Sequence, residues 1–155
     1  MKQLVLVACF LLALRTEAAD PVKIEISNCG TGFENLICTI DEVNVDCAID
    51  RNTKACRLKR GLNYTMAVDF TPDFEGSDVT MLAYALLPLK DAEFEGMDDN
   101  ACNWMKCPVV ANTQQRYTFV LSMQKSYPKG MFSVRWLMKK GGEPKCCFTN
   151  KFKIE

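Results

Sequence analysis

The sequence contains no histidine. The most common general base and the usual activator of a serine or cysteine nucleophile are therefore both missing. Zinc loses a principal ligand, and no two cysteines stand in C-x-x-C spacing, so no metal site and no cofactor are expected. No apolar run is long enough to cross a bilayer: Leu4–Leu14 falls well short of the roughly 20 residues needed. Charge of one sign is not in excess either, with 19 Lys and Arg against 19 Asp and Glu. Without a general field, nucleic acid is excluded as a partner. The one basic knot, Arg57, Lys59 and Arg60, abuts a turn at Gly61 and reads as a solvated edge. No helical period, internal repeat or low-complexity tract stands out, and one domain is expected.

The carboxylates offer little chemistry. Asp98–Asp99 and Glu93–Glu95 could be imagined as glycosidase pairs. They lie in one short acidic segment, KDAEFEGMDDNAC, with nothing to separate their pKa values, and a solvated loop is the plainer reading. DDNAC lacks the alternating ligands, glycine and distal glutamate of a calcium loop. An enzyme is not expected.

What is present starts with a signal. Lys2, the apolar run and the small residues before Asp20 have the layout of a secretory peptide covering residues 1–19, with the mature domain at 20–155. The protein is expected to be secreted, or lumenal after entering that pathway. Of nine cysteines, Cys9 lies in the signal, and an even set of eight remains. In a small secreted domain that set reads as a disulfide framework. Asn63-Tyr64-Thr65 is an acceptor sequon, so Asn63 is a candidate for glycosylation.

About seven strands follow from Asp20 onward. PVKIEIS alternates Val22, Ile24 and Ile26 with Lys23, Glu25 and Ser27. CTIDEVNVDC is apolar at Ile40, Val43 and Val45, a change of phase that suggests a bulge. Tyr64, Met66, Val68 and Phe70 alternate cleanly. VTMLAYALLPL is apolar on both faces, a covered strand or a short buried helix. The clearest pattern runs from Tyr117 to Met138, with Tyr117, Phe119, Leu121 and Met123, then Phe132, Val134, Trp136 and Met138, facing one way. Pro128 and Gly130 break it, so its two halves are expected to pair as an antiparallel hairpin. Gly141-Gly142 is a tight turn, and in the last strand Phe148, Phe152 and Ile154 share a face. Short strands between turn signals make an all-β antiparallel sandwich. The large, soft inward row is either an ordinary core or the wall of a cavity completed by a ligand.

Strand parity suggests Cys29–Cys147 and Cys38–Cys146, leaving Cys47–Cys56 and Cys102–Cys107 to close short loops. Parity constrains weakly across loops, and eight cysteines allow roughly a hundred pairings. Cys29–Cys147 closes nearly the whole chain, and its loss is expected to cost about 4–5 kcal/mol.

Several segments carry a resemblance: NCG at Asn28–Gly30, EVNVDC at Glu42–Cys47 and CRLKRGLNY at Cys56–Tyr64, then DDNACNWMKCPV at Asp98–Val109, SYPKG at Ser126–Gly130 and VRW at Val134–Trp136. In this order they resemble the ML lipid-recognition domains over nearly the whole mature chain, and within them the Niemann–Pick type C2-like proteins, with an arthropod-like character. DDNACNWMKCPVV is also similar to the mite group 2 allergens of the same superfamily. The resemblance implies an immunoglobulin-like sandwich of two sheets with an apolar cavity between them. It implies bridges Cys29–Cys147, Cys47–Cys56 and Cys102–Cys107; Cys38 and Cys146 depart from the family's six and are expected to form a fourth.

By the same resemblance Phe94 and Tyr127 correspond to gate residues of the sterol carriers, with a third gate position near Met123. The proline-rich run before the gate phenylalanine is absent here, where LPLKDAEFEG stands, so the likeness does not extend to sterol specificity. The expected ligand-lining set is Tyr64, Met66, Phe94, Phe119, Leu121, Met123, Tyr127, Phe132, Val134, Trp136 and Phe148. The function implied is that of a monomeric, non-enzymatic carrier. Its ligand would be a sterol, fatty acid or similar apolar molecule, including a semiochemical, passed to a receptor or membrane acceptor. The alternative is an innate-immune module that presents microbial lipid to a receptor, for which Arg57–Arg60 is the sole candidate basic rim.

Overall fold

The structure, a computed structural model, describes residues 20–155; the expected signal peptide lies outside them. Its strands are β1 (Val22–Lys23), β2 (Cys38–Val45), β3 (Ala48–Ile49), β4 (Cys56–Leu58), β5 (Asn63–Pro72), β6 (Val79–Ala85), β7 (Ala92–Glu93), β8 (Gln115–Ser122), β9 (Gly130–Lys140) and β10 (Glu143–Ile154). They form a four-stranded sheet, β1-β2-β5-β8, and a six-stranded sheet, β3-β4-β10-β9-β6-β7. The only helical element among the described residues is a single 3-10 turn, Ala101–Asn103. The fold is an all-β two-sheet sandwich.

Period-two alternation fixes which face each strand buries. In β5, Met66, Val68 and Phe70 are buried while Thr65, Ala67 and Asp69 are not. In β10, Cys146, Phe148, Asn150, Phe152 and Ile154 all turn inward. The expected bulge in β2 is present: pairing with β5 slips between Ile40 and Glu42, leaving Asp41 extra. Gly141 and Gly142, with φ of 56° and 83°, make the two-residue turn joining β9 to β10, a backbone geometry that glycine adopts without strain. VTMLAYALLPL is a strand only as far as Ala85, after which the chain leaves the sheet and Leu89 is fully exposed.

One expected pairing is overturned. β8 and β9 do not form a hairpin: β8 pairs with β5 in one sheet, and β9 with β10 and β6 in the other. Alternation specifies the buried face and says nothing of the hydrogen-bonding partner. The end of β8 stays zipped toward β5, with Met123 donating to the Leu62 carbonyl and accepting from Gly61. The segment Gln124–Lys129 then crosses between sheets, and the two aromatic rows face each other, Phe119 against Trp136 at 5.2 Å between ring centroids. The first strand is also shorter than PVKIEIS. Ile24 still donates to Val43, but Ser27 bridges to Thr149 in the opposite sheet, because the chain changes sheets there.

The eight cysteines form Cys29–Cys147, Cys38–Cys146, Cys47–Cys56 and Cys102–Cys107. Cys38–Cys146 ties β2 to β10 across the sandwich, and Cys47–Cys56 joins the end of β2 to β4. Asp50 closes the turn between β3 and β4, accepting from the Asn52 and Thr53 backbone amides and from Lys153 on β10 at 2.7 Å. The Lys153 ammonium, aided by the Thr53 donors, holds the Asp50 carboxyl far below the usual carboxylate range. A depressed folded-state pKa contributes stability above the unfolded value, about 3.9, and that contribution fades as pH falls below it. The gap in melting temperature between wild type and Asp50→Asn is therefore expected to be largest near neutrality and to shrink by pH 3, which differential scanning fluorimetry across pH measures.

Candidate functional site

The inward rows meet in one apolar cluster between the sheets. At its centre Trp136 lies 6.2 Å from Phe148 in a stacked arrangement and 6.5 Å from Phe152 edge-on, and Tyr117 sits 5.1 Å from Phe119. All eleven expected lining residues belong to this cluster or pack against it. Met66, Phe119, Leu121, Met123, Val134, Trp136 and Phe148 are fully buried; Tyr64, Phe94, Tyr127 and Phe132 are partly exposed at its margin. The middle of the sandwich is thus filled by side chains. Space appears where the margin residues stand.

Phe94 follows β7, and its amide donates to the Ala83 carbonyl, which fixes it beside β6. Tyr127 lies in the segment that crosses from β8 to β9. Arg60 holds that segment by donating through Nη1 to the carbonyls of Lys125 and Tyr127, each at 3.2 Å. The two rings meet edge to face, 5.5 Å apart at 88°. The Tyr127 hydroxyl donates weakly to the Glu95 carbonyl at 3.4 Å, and partial burial raises its pKa.

This aromatic pair separates two pockets. One, of about 160 Å³, is lined by Ala85, Leu87, Ala92, Glu93, Phe94, Tyr127, Pro128, Phe132 and Ile154. Its wall is apolar except for Glu93. The other, about 200 Å³, lies against β8 and carries Glu95, Asp98, Ser122 and Gln124 beside Phe94, Phe119, Leu121 and Tyr127. Ligand cavities run from about 300 Å³ upward, so each is smaller than an extended lipid needs. Of the three gate positions, Phe94 and Tyr127 come together, while Met123 is buried at the end of β8 and lines neither pocket.

Ala85, Leu87, Ala92, Pro128 and Ile154 join the lining without having been singled out from the sequence. Ile154 was findable, since it shares the face of Phe148 and Phe152. The alanines carried no signal. Tyr64 turns its hydroxyl away from the apolar space, accepting from the Lys59 amide at 2.7 Å.

Polar groups inside the cluster are few. The Trp136 indole donates to Asn150 Oδ1 at 2.7 Å; because an indole can only donate, the Asn150 amide nitrogen must point elsewhere, and no protein acceptor meets it. The Tyr117 hydroxyl is likewise buried without a protein partner, and burial pushes its pKa up. In the acidic loop, Asp98 accepts from the Asn100 amide and the Asn103 side chain, and these bonds, led by Asn103, hold its carboxyl below the ordinary value. These bonds shape the turn that leads into the 3-10 element. Asn63 is exposed at the start of β5.

Comparison with known proteins matches residues 23–154 to the family model described as the ML domain. An MD-2-related lipid-recognition protein of Manduca sexta is 29% identical over 130 residues, covering 82% of each chain. The NPC intracellular cholesterol transporter 2 of Bos taurus is 28% identical over 133 residues, 84% of this chain and 83% of that one. Among solved structures, a Niemann-Pick type C2 protein from Japanese carpenter ant superposes with a TM-score of 0.72 at 18% identity, over 85% of this chain and all of the other.

Proposed function

Since this chain belongs to the ML domain family, we propose that it is a secreted, non-enzymatic carrier that encloses one apolar lipid between its sheets and hands it on. The observation that supports this most directly is the apolar pocket beside Phe94 and Tyr127, whose wall includes Phe132 of the inward row and Ile154 of the buried cluster. Entry is by displacement: the Phe94–Tyr127 contact parts, and soft side chains such as Met66 and Met123 repack around the ligand. A sterol, a fatty acid or a volatile signal molecule would each gain affinity chiefly from burial.

Burial is worth roughly 0.8 kcal/mol per CH₂, so a chain of about sixteen carbons gains on the order of 12 kcal/mol gross. Lost freedom and ordering offset several kcal/mol or more of that, leaving micromolar or somewhat tighter binding. The rival presentation role needs free cations at the rim to read phosphate. Of that knot, Arg57 pairs with Glu155 through two bonds and Arg60 is engaged with backbone carbonyls, which leaves the exposed Lys59 as a single cation, too few to grip a phosphate. The carrier reading is the better supported.

The test is displacement of a fluorescent fatty acid or sterol from protein stripped of endogenous lipid. Micromolar binding is expected; none at about 10 μM, which is about −7 kcal/mol, sinks the reading. Phe94→Ala and Tyr127→Ala each remove an edge-to-face contact worth about 0.5–1.5 kcal/mol at the margin. Each is expected to speed ligand release about threefold to tenfold in stopped-flow exchange, with the unfolding midpoint shifting much less.

A further inference from the structure

The pocket on the β8 side of the Phe94–Tyr127 pair has a chemistry of its own. Thr118 on β8 donates its amide outward to the Trp104 carbonyl at 3.1 Å, so that edge of the strand is the one not paired to β5. Strand geometry sends the backbone groups of Val120 and Ser122, two and four residues on, to the same edge. Both residues line the pocket, beside the Ser122 hydroxyl, the Gln124 side chain and the Tyr127 ring. These are uncharged donors and acceptors.

The charged groups present are all of one sign. Glu95 and Asp98 line this pocket, and Glu93 lines the apolar one next to it. No lysine or arginine lines either. The cations near in sequence lie outside both walls: Lys90, Lys106, Lys125 and Lys129, with Arg60 engaged by the carbonyls of the crossing segment, Arg135 paired to Asp91 and Lys153 to Asp50, each at 2.7 Å.

We propose that the pocket along β8 is a head-group subsite for an uncharged, oxygen-bearing lipid, an alcohol, ester or aldehyde, whose tail lies behind Phe94 and Tyr127. Glu93, Glu95 and Asp98 disfavour the carboxylate of a free fatty acid there without forbidding its tail the apolar pocket. This rests on the carrier reading and narrows its ligand class. Two or three like charges within several ångströms, at the effective dielectric of a protein surface, disfavour an anion by about tenfold or more.

The test is displacement of an uncharged naphthylamine probe by dodecanol, methyl dodecanoate and dodecanoate at neutral pH. The three share a tail and differ in the head group. The alcohol and ester are expected to compete at about one-tenth the concentration the acid needs, or less. In Glu93→Gln/Glu95→Gln the gap narrows to about threefold, through tighter binding of the acid. Both side chains are exposed, so the fold is expected to survive, and circular dichroism checks that. Raising salt from about 20 mM to 500 mM narrows the gap in wild type, which gives a reading that needs no variant. Equal or tighter binding of the acid by wild type overturns the inference, as does a gap that neither salt nor the double variant changes. If neither probe nor any of the three binds, the carrier reading falls first.

Discussion

Replacing Cys29 and Cys147 by alanine is expected to lower the unfolding free energy by only about 3 kcal/mol, less than the roughly 4–5 kcal/mol that its span of 118 residues alone would give. Cys146, its chain neighbour, is already tied to Cys38 over a separation of 108. With that second bridge intact, losing Cys29–Cys147 releases a loop of only about ten residues, for which the loop-closure estimate is about 3 kcal/mol. The same holds when Cys38–Cys146 is removed and Cys29–Cys147 remains. Removing both frees the whole chain, and the expected loss is about 7–8 kcal/mol, more than the sum of the single losses. Since domains are stable by only about 5–15 kcal/mol, the quadruple variant is expected to be marginal or unfolded. Urea titration of the two double-alanine variants and the quadruple variant measures all three. A single bridge that costs as much as the pair would refute the redundancy.

Trp136→Ala is expected to cost on the order of 5 kcal/mol. The indole contacts Phe119, Phe148 and Phe152, and truncating a buried aromatic costs about 3–5 kcal/mol. It also leaves Asn150 Oδ1 buried without its donor, which adds about 1–3 kcal/mol. The polar part can be separated from the packing part. Trp136→Phe strips Asn150 of its one side-chain partner, and Asn150→Leu leaves the indole N–H unpaired but removes an amide nitrogen that already has no protein acceptor. In the double variant no unpaired polar group remains at either position. Its destabilisation in urea is therefore expected to be smaller than the sum of the single losses by about 1–3 kcal/mol. Strict additivity would mean that the hydrogen bond contributes nothing.

Much of this architecture was legible because strand alternation reports a physical fact, the face turned from water. It identified Met66, Val68 and Phe70, the β2 bulge and the inward row of β10, and parity brought Cys29 and Cys38 to Cys147 and Cys146. Alternation does not report hydrogen-bond partners, so β8 and β9 looked like a hairpin when they lie in opposite sheets. Nor does it tell an enclosed space from a filled one. Phe119, Trp136 and Phe148 turn inward as expected, but they spend their volume on one another. The open space is bounded partly by Ala85, Ala92 and Pro128, where small or rigid residues leave room without leaving a pattern.

The bridges also set the mechanics of the sandwich. Cys38–Cys146 and Cys47–Cys56 pin β2 to β10 and β4, whereas β8, with β6 and β7 across from it, carries no such pin. Two plates riveted along one side, and held at the other by hydrogen bonds from Met81 on β6 and Thr118 on β8 to the carbonyls of Asp99 and Trp104, are expected to swing like the covers of a book once those weaker bonds give. Displacement then grows with distance from the spine, and Phe94 and Tyr127 stand at the fore-edge, where a given rotation opens the widest gap. The crossing segment Gln124–Lys129 runs over one corner of that edge as a tether of fixed length, so the covers part without coming away from each other.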